Sequence, residues 1–141
     1  MAVTSEATTV WNGDLKAGAG TTTLDSSKAG EFPVNWAARS HGEAGMTNPE
    51  ELLGAAHSAC FAMAFSNMLA NFGTPPETIQ VTAAVTFDPA EGITGSHLLV
   101  SAKVPGISPQ DFQSVAAEAK ATCPVSRALV GIPITLEASL A

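Results

Sequence analysis

Strict alternation of apolar and polar positions marks two strands near the middle of the chain. Ile79, Val81, Ala83, Val85 and Phe87 form one series, and Leu98, Val100, Ala102 and Val104 form the next. Asp88 to Gly95 joins them as a hairpin-length loop. Before them lies a segment of helical character. Asn48 is a good N-cap, Pro49 suits the first helical position, and Glu51 stands where a capping box needs an acid. This helix is expected to reach Phe72, where Gly73 and Pro75-Pro76 stop it. Around its middle it is apolar or small on nearly every face, the pattern of a helix buried on all sides. Ser108-Pro109-Gln110-Asp111 opens another helix, with Phe112, Val115, Ala116 and Ala119 as its apolar stripe. Thr122-Cys123-Pro124 breaks it and starts a short helical turn through Leu129, ended by Gly131 and Pro133. A last strand alternates Ile132, Ile134, Leu136, Ala138 and Leu140.

The N-terminal region is rich in Gly, Thr and Ser. Short strands are expected at Thr8–Trp11 and Thr21–Leu24, with Asn12-Gly13-Asp14 and Gly18-Ala19-Gly20 between them. Pro33 to Ser40 reads as a third strand, followed by a polar loop from His41 to Thr47. No internal repeat is evident. Strands, helix, strands, helix, strand is an α+β pattern, and 141 residues suit a single domain over 1–141.

Charge narrows the function. Six Lys and Arg stand against thirteen Asp and Glu, a net charge of −7. That disfavours nucleic acid, whose binders need a basic stripe to displace counterions, and disfavours anionic lipid equally. Charged residues are 13% of the chain, about half the usual share. So undercharged an exterior suggests that a partner subunit covers part of it. The start of the chain lacks the basic head and apolar run of a signal peptide, so the cytoplasm is the expected location. The apolar stretch from Leu52 to Phe72 is interrupted by His57, Ser58, Ser66, Asn67 and Asn71. It therefore reads as a buried helix and not as a membrane span.

Two cysteines in a reducing compartment are not a structural staple. Cys60, inside the apolar helix, suits a small core hydrophobe. Cys123 lies at a helix start, where backbone N–H groups stabilise a thiolate. Together they form a candidate dithiol. A metal site is the alternative: His57 and Cys60 share one helix face, and Cys123 with His41 or His97 could complete the set, but no CxxC is present. A peroxide-reducing thiol also needs a cation, to lower its pKa and to stabilise the departing oxygen. Arg39 is the better candidate, beside Glu43, Glu50 and Glu51, and Arg127 the other; an ordinary surface salt bridge is an equal reading of Arg39. Glu50 and Cys60 stand ten positions apart on one helix, about 15 Å along its axis. An arginine oriented by Glu50 over a cysteine would therefore serve a cysteine of another subunit. That points to a dimer with composite sites.

Asn48-Pro49-Glu50-Glu51-Leu52-Leu53-Gly54-Ala55-Ala56-His57-Ser58-Ala59-Cys60-Phe61 resembles the signature helix of the osmotically inducible protein C and organic hydroperoxide resistance (OsmC/Ohr) family. Cys123-Pro124-Val125-Ser126 resembles its second cysteine motif. Trp11-Asn12-Gly13-Asp14-Leu15-Lys16, with Gly18, Gly20 and the position of Arg39, resembles the OsmC branch. The resemblance covers essentially the whole chain. It implies an intertwined α+β homodimer with two long central helices packed among sheets from both chains. It also implies thiol-dependent reduction of hydroperoxides, organic ones especially. By position, Cys60 would be the peroxidatic thiol, Cys123 the resolving thiol, and Arg39 with Glu50 the activating ion pair. The reductant implied is a lipoyl-type dithiol, and no metal, flavin or haem is required. A binding or stress-protective dimer with spectator thiols, and a zinc-dependent hydrolase using His57 and the cysteines, stand as alternatives.

Overall fold

The computed structural model describes residues 1–141. The chain divides into two compact units, Met1–Leu52 and Leu53–Ala141. The first is a meander of β1 (Ala7–Asn12), β2 (Ala19–Leu24) and β3 (Glu31–Val34), paired antiparallel in chain order. The turn after β1 closes where the Asp14 carbonyl accepts from the Gly18 N–H at 2.9 Å. A side chain on Gly18 would lie 2.3 Å from that oxygen, so only glycine fits.

The strand expected over Pro33–Ser40 ends at Val34. Asn35 turns the chain into a short helix, α1 (Trp36–Ser40), because its side chain accepts from the Ala38 N–H at 2.7 Å. This is the usual work of asparagine at an N-cap, and it overrides the apolar pattern of Trp36 to Ala38.

Helix α2 (Pro49–Phe72) begins in the first unit and continues into the second. Asn48 caps it through the Glu51 N–H at 2.8 Å. Only half of the capping box forms, since the Glu51 carboxylate accepts from the Thr47 hydroxyl. The second unit adds β4 (Thr78–Asp88), β5 (Gly92–Lys103), α3 (Pro109–Thr122), α4 (Pro124–Ala128) and β6 (Ile134–Leu140). The β4–β5 hairpin turns in three residues, and β5 starts at Gly92, well before the alternating run. Strand β6 pairs in parallel with β5 of its own chain, and Ile132 falls in the turn before it. A parallel neighbour needs a crossover, and α3 with α4 supplies it. Ser108 caps α3 as expected, accepting from the Asp111 N–H.

The core of this unit lies between one stripe of α2, the inner face of β5 and α3. His57, Phe61, Phe65 and Leu69 recur every four residues along α2 and are fully buried. Phe65 packs on Phe61 with ring centroids 5.4 Å apart and on Phe112 of α3 at 5.5 Å. Leu98, Val100 and Ala102 of β5 close the other side. Burial of α2 on all sides, expected from its composition, is not found within one chain. Ala55, Ala59 and Met63 on its other face are exposed, Met63 by 73%. The reason is arithmetic of layers: one sheet and one short helix cover a single stripe of a 24-residue helix. By length and composition α2 could cross a membrane, yet its most apolar stripe is the core of this unit.

Candidate active site

Cys60 projects from α2 onto the core, directly before Phe61. Cys123 is fully buried at the junction of two helices. Its N–H closes α3 on the Ala119 carbonyl at 2.9 Å, and its carbonyl accepts from the Arg127 N–H of α4 at 3.0 Å. Pro124 forces this break: it cannot continue α3, and it is pre-shaped for the first position of α4.

The two thiols are free and near enough to shift each other's pKa. The Cys123 sulfur closes no regular cap hydrogen bond, but the Ser126 and Val125 N–H groups and the Ser126 hydroxyl lie near enough to stabilise charge on it. Burial pushes the Cys123 thiol up; these donors and the Cys60 thiol outweigh burial, and its pKa falls below the usual value. Cys60 goes the other way. Burial raises it, the Val125 N–H offsets that in part, and the neighbouring Cys123 raises it further. Within this unit the α4 donors thus favour a thiolate on Cys123, and Cys60 needs additional cationic help to become one.

His57 stands one turn before Cys60 and is fully buried. Its Nδ1 bonds the Ser96 hydroxyl of β5 at 2.7 Å, and its Nε2 bonds the Ser126 hydroxyl of α4 at 2.8 Å. Burial lowers its pKa, so the ring is neutral. Both ring nitrogens are thus committed to serines. His97 is turned to Thr135 and Glu137, and His41 to Ser40. No three His, Cys, Asp or Glu side chains gather as metal ligands, so the zinc alternative finds no ligand set. The pairing of His57 with Ser126 is the feature that linear reading missed. Its signal was the Cys-Pro-Val-Ser run, which places a hydroxyl one helical turn after the thiol.

The first unit holds Arg39 and Glu50 together. Arg39 Nη2 donates to Glu50 Oε1 at 2.8 Å and its Nε to the same oxygen at 3.1 Å. Glu50 is nearly buried in the first turn of α2, where a carboxylate also benefits from the helix N-terminus. Of the other acids considered for this role, Glu43 accepts from Asn35 and Glu51 from Thr47. Asn48 ties the two helices by donating to the Ala38 carbonyl at 3.1 Å. Beside the pair is a largely apolar cavity of about 320 Å³, lined by Trp11, Leu15, Val34, Trp36 and Leu52, with Arg39 on its wall. Arg127, the alternative cation, is exposed on α4.

The family model described as OsmC-like protein matches residues 41–137, a span that includes Glu50 and both cysteines. Peroxiredoxin OsmC of Escherichia coli K12 is 44% identical over 133 residues, 92% of each chain. Organic hydroperoxide resistance protein OhrA of Bacillus subtilis is 35% identical over 94 residues, 64% of this chain and 66% of that one. A crystal structure of an OsmC-like protein from Mycoplasma pneumoniae superposes with a TM-score of 0.72 at 18% identity, over 99% of both chains. The α+β architecture, the paired cysteine motifs and these matches together place the chain in the OsmC family.

Proposed function

We propose that the protein is a cysteine-based peroxidase that reduces organic hydroperoxides to alcohols in defence against hydroperoxide stress. One observation carries this reading: the chain's two cysteines, distant in sequence, come close enough to influence each other's ionisation, and helix-start donors favour the thiolate of the buried one. The names of the relatives, peroxiredoxin and organic hydroperoxide resistance protein, support the same chemistry.

In this scheme the Cys60 thiolate attacks the distal peroxide oxygen. The S–O bond forms, the O–O bond breaks, and the alkoxide takes a proton to leave as alcohol. Cys60 is then a sulfenic acid. The Cys123 thiolate attacks the Cys60 sulfur, the S–S bond forms, and hydroxide leaves with a proton as water. An external dithiol, of lipoyl type, reduces the disulfide by two exchange steps and is itself oxidised to a disulfide. Arg39, oriented by Glu50, is the cation that offsets the desolvation of Cys60 and stabilises the departing oxygen.

The assembly in this reading is a homodimer with composite sites. Helix α2 is unbroken between Glu50 and Cys60, so the axial separation of about 15 Å holds. The ion pair of one chain would serve Cys60 of its partner. The exposed small and apolar face of α2 is the surface such a partner would cover. The protein would act in the cytoplasm, without nucleic acid or membrane.

The test is turnover of cumene hydroperoxide with dihydrolipoamide, wild type beside Cys60→Ser. Turnover in wild type alone is expected. Cys123→Ser should consume one equivalent of peroxide and stall as the Cys60 sulfenic acid, which each further equivalent over-oxidises. Full activity in Cys60→Ser would end this proposal. Retention of both free thiols after one equivalent of peroxide would favour a dimer whose thiols only pack.

A further inference from the structure

Ser96, His57 and Ser126 form a buried hydrogen-bonded chain whose last member stands one helical turn after Cys123, and the peroxidase scheme above makes no use of it. Three elements contribute: β5, α2 and α4. All three side chains are at most 5% exposed, and no buried side-chain polar atom in the protein lacks a partner. A polar chain in such a place costs desolvation unless each link is made.

The proton inventory sets the direction of the links. A serine hydroxyl has one proton. Where Ser126 donates it to the Cys123 thiolate, its oxygen must accept from His57 Nε2. The ring is neutral, so Nδ1 then carries no proton and accepts from the Ser96 hydroxyl at 2.7 Å. Ser96 is the donor that matches this tautomer, and His57 aims Ser126. The titratable groups gathered here are His57 and Cys60 of α2 and Cys123 at the start of α4. His97, adjacent to Ser96 on β5, faces the opposite side of the sheet, against Thr135 and Glu137.

We propose that His57 is a positioning residue for the resolving thiol: anchored by Ser96, it holds the Ser126 hydroxyl as a donor to Cys123, so that Cys123 meets the Cys60 sulfenic acid as an aimed thiolate. This rests on Cys123 being the resolving thiol. The step served is the one already balanced above, in which Cys123 sulfur replaces hydroxide on Cys60 sulfur. Peroxide attack by Cys60 is not served by this chain.

Single-turnover kinetics on the intact protein separate the two steps. Reduced protein is mixed with one equivalent of cumene hydroperoxide. Sulfenic acid is followed by a trapping reagent, and closure by loss of the second free thiol, from pH 5 to 9. In His57→Leu and Ser126→Ala, closure should slow about tenfold or more, the range of a lost hydrogen bond to a charged group. Its pH midpoint should rise, while sulfenic acid forms no more slowly than in wild type, since a weaker Cys123 thiolate raises the Cys60 thiol less. His57→Gln should recover most of the closure rate, since its amide N–H can donate to Ser126 and its carbonyl accept from Ser96. Ser126→Ala removes one atom and keeps the experiment decisive if His57→Leu does not fold. Wild-type closure and pH midpoint in Ser126→Ala would overturn the proposal. So would a His57→Gln protein as slow as His57→Leu, because positioning alone would not explain it. A wild type that forms no sulfenic acid would overturn the peroxidase reading itself, a result distinct from either.

Discussion

Gly54 sits inside α2, where replacing glycine by alanine should stabilise an exposed helix by about 1 kcal/mol. The structure reverses that sign. A Cβ built on Gly54 would lie 2.8 Å from the Ala83 carbonyl oxygen of β4, with Val85 Cγ2 at 3.8 Å. Ordinary carbon–oxygen contact is roughly half an ångström longer. The neighbour is backbone, and β4 is pinned by an antiparallel register with β5 from Thr78 to Asp88, so the strand yields poorly. Overpacking of this kind costs about 1–3 kcal/mol. After the helix gain, Gly54→Ala should lose roughly 1 kcal/mol, or about 4 °C in Tm for a chain of this size. The mirror substitution, Ala117→Gly on the exposed face of α3, should also lose about 1 kcal/mol, from propensity alone. Urea unfolding followed by far-UV circular dichroism measures both. A stabilised Gly54→Ala would refute the claim that close approach of β4 requires this glycine.

Phe65 contacts two other rings at the centre of the core, so Phe65→Ala should cost about 3–5 kcal/mol in the same urea titration. Arg39→Ala strands a nearly buried Glu50 carboxylate. Because the Arg39 side chain is 32% exposed, the full penalty for breaking a buried pair is discounted to about 1–2 kcal/mol, and Glu50→Gln in the same background should recover part of it. His57 has a depressed pKa in the fold. The unfolded chain binds its proton more readily, so the neutral ring's contribution is complete above about pH 6.5 and is lost as pH falls through the folded value. The fall in stability from pH 7.5 to 5.5 should therefore be smaller in His57→Gln than in wild type; equal slopes would mean that the buried ring does not resist protonation.

Much of this molecule was legible as linear pattern. Two-residue alternation identified β4, β5 and β6, because a strand with one buried face must alternate. Asn48, Ser108 and Pro124 announced their helices through caps and fixed φ, effects that act within a few residues. The cysteine motifs carried the family and, with it, the fold. Where the chain misled, a short-range hydrogen bond had won over apolar pattern, as at Asn35, which begins a helix inside an expected strand. Other facts had no local signature at all. The parallel pairing of β6 with β5 follows from a crossover that closes only in three dimensions. The opposite shifts of the Cys60 and Cys123 thiols depend on which sulfur lies nearer the donors of α4. Ser96, His57 and Ser126 meet because a strand and two helices converge there. Sequence specified the local geometry and the reactive groups, since those depend on neighbours along the chain. Tertiary structure decided which thiol lies beside the α4 donors and what stands around it, since those depend on neighbours through space.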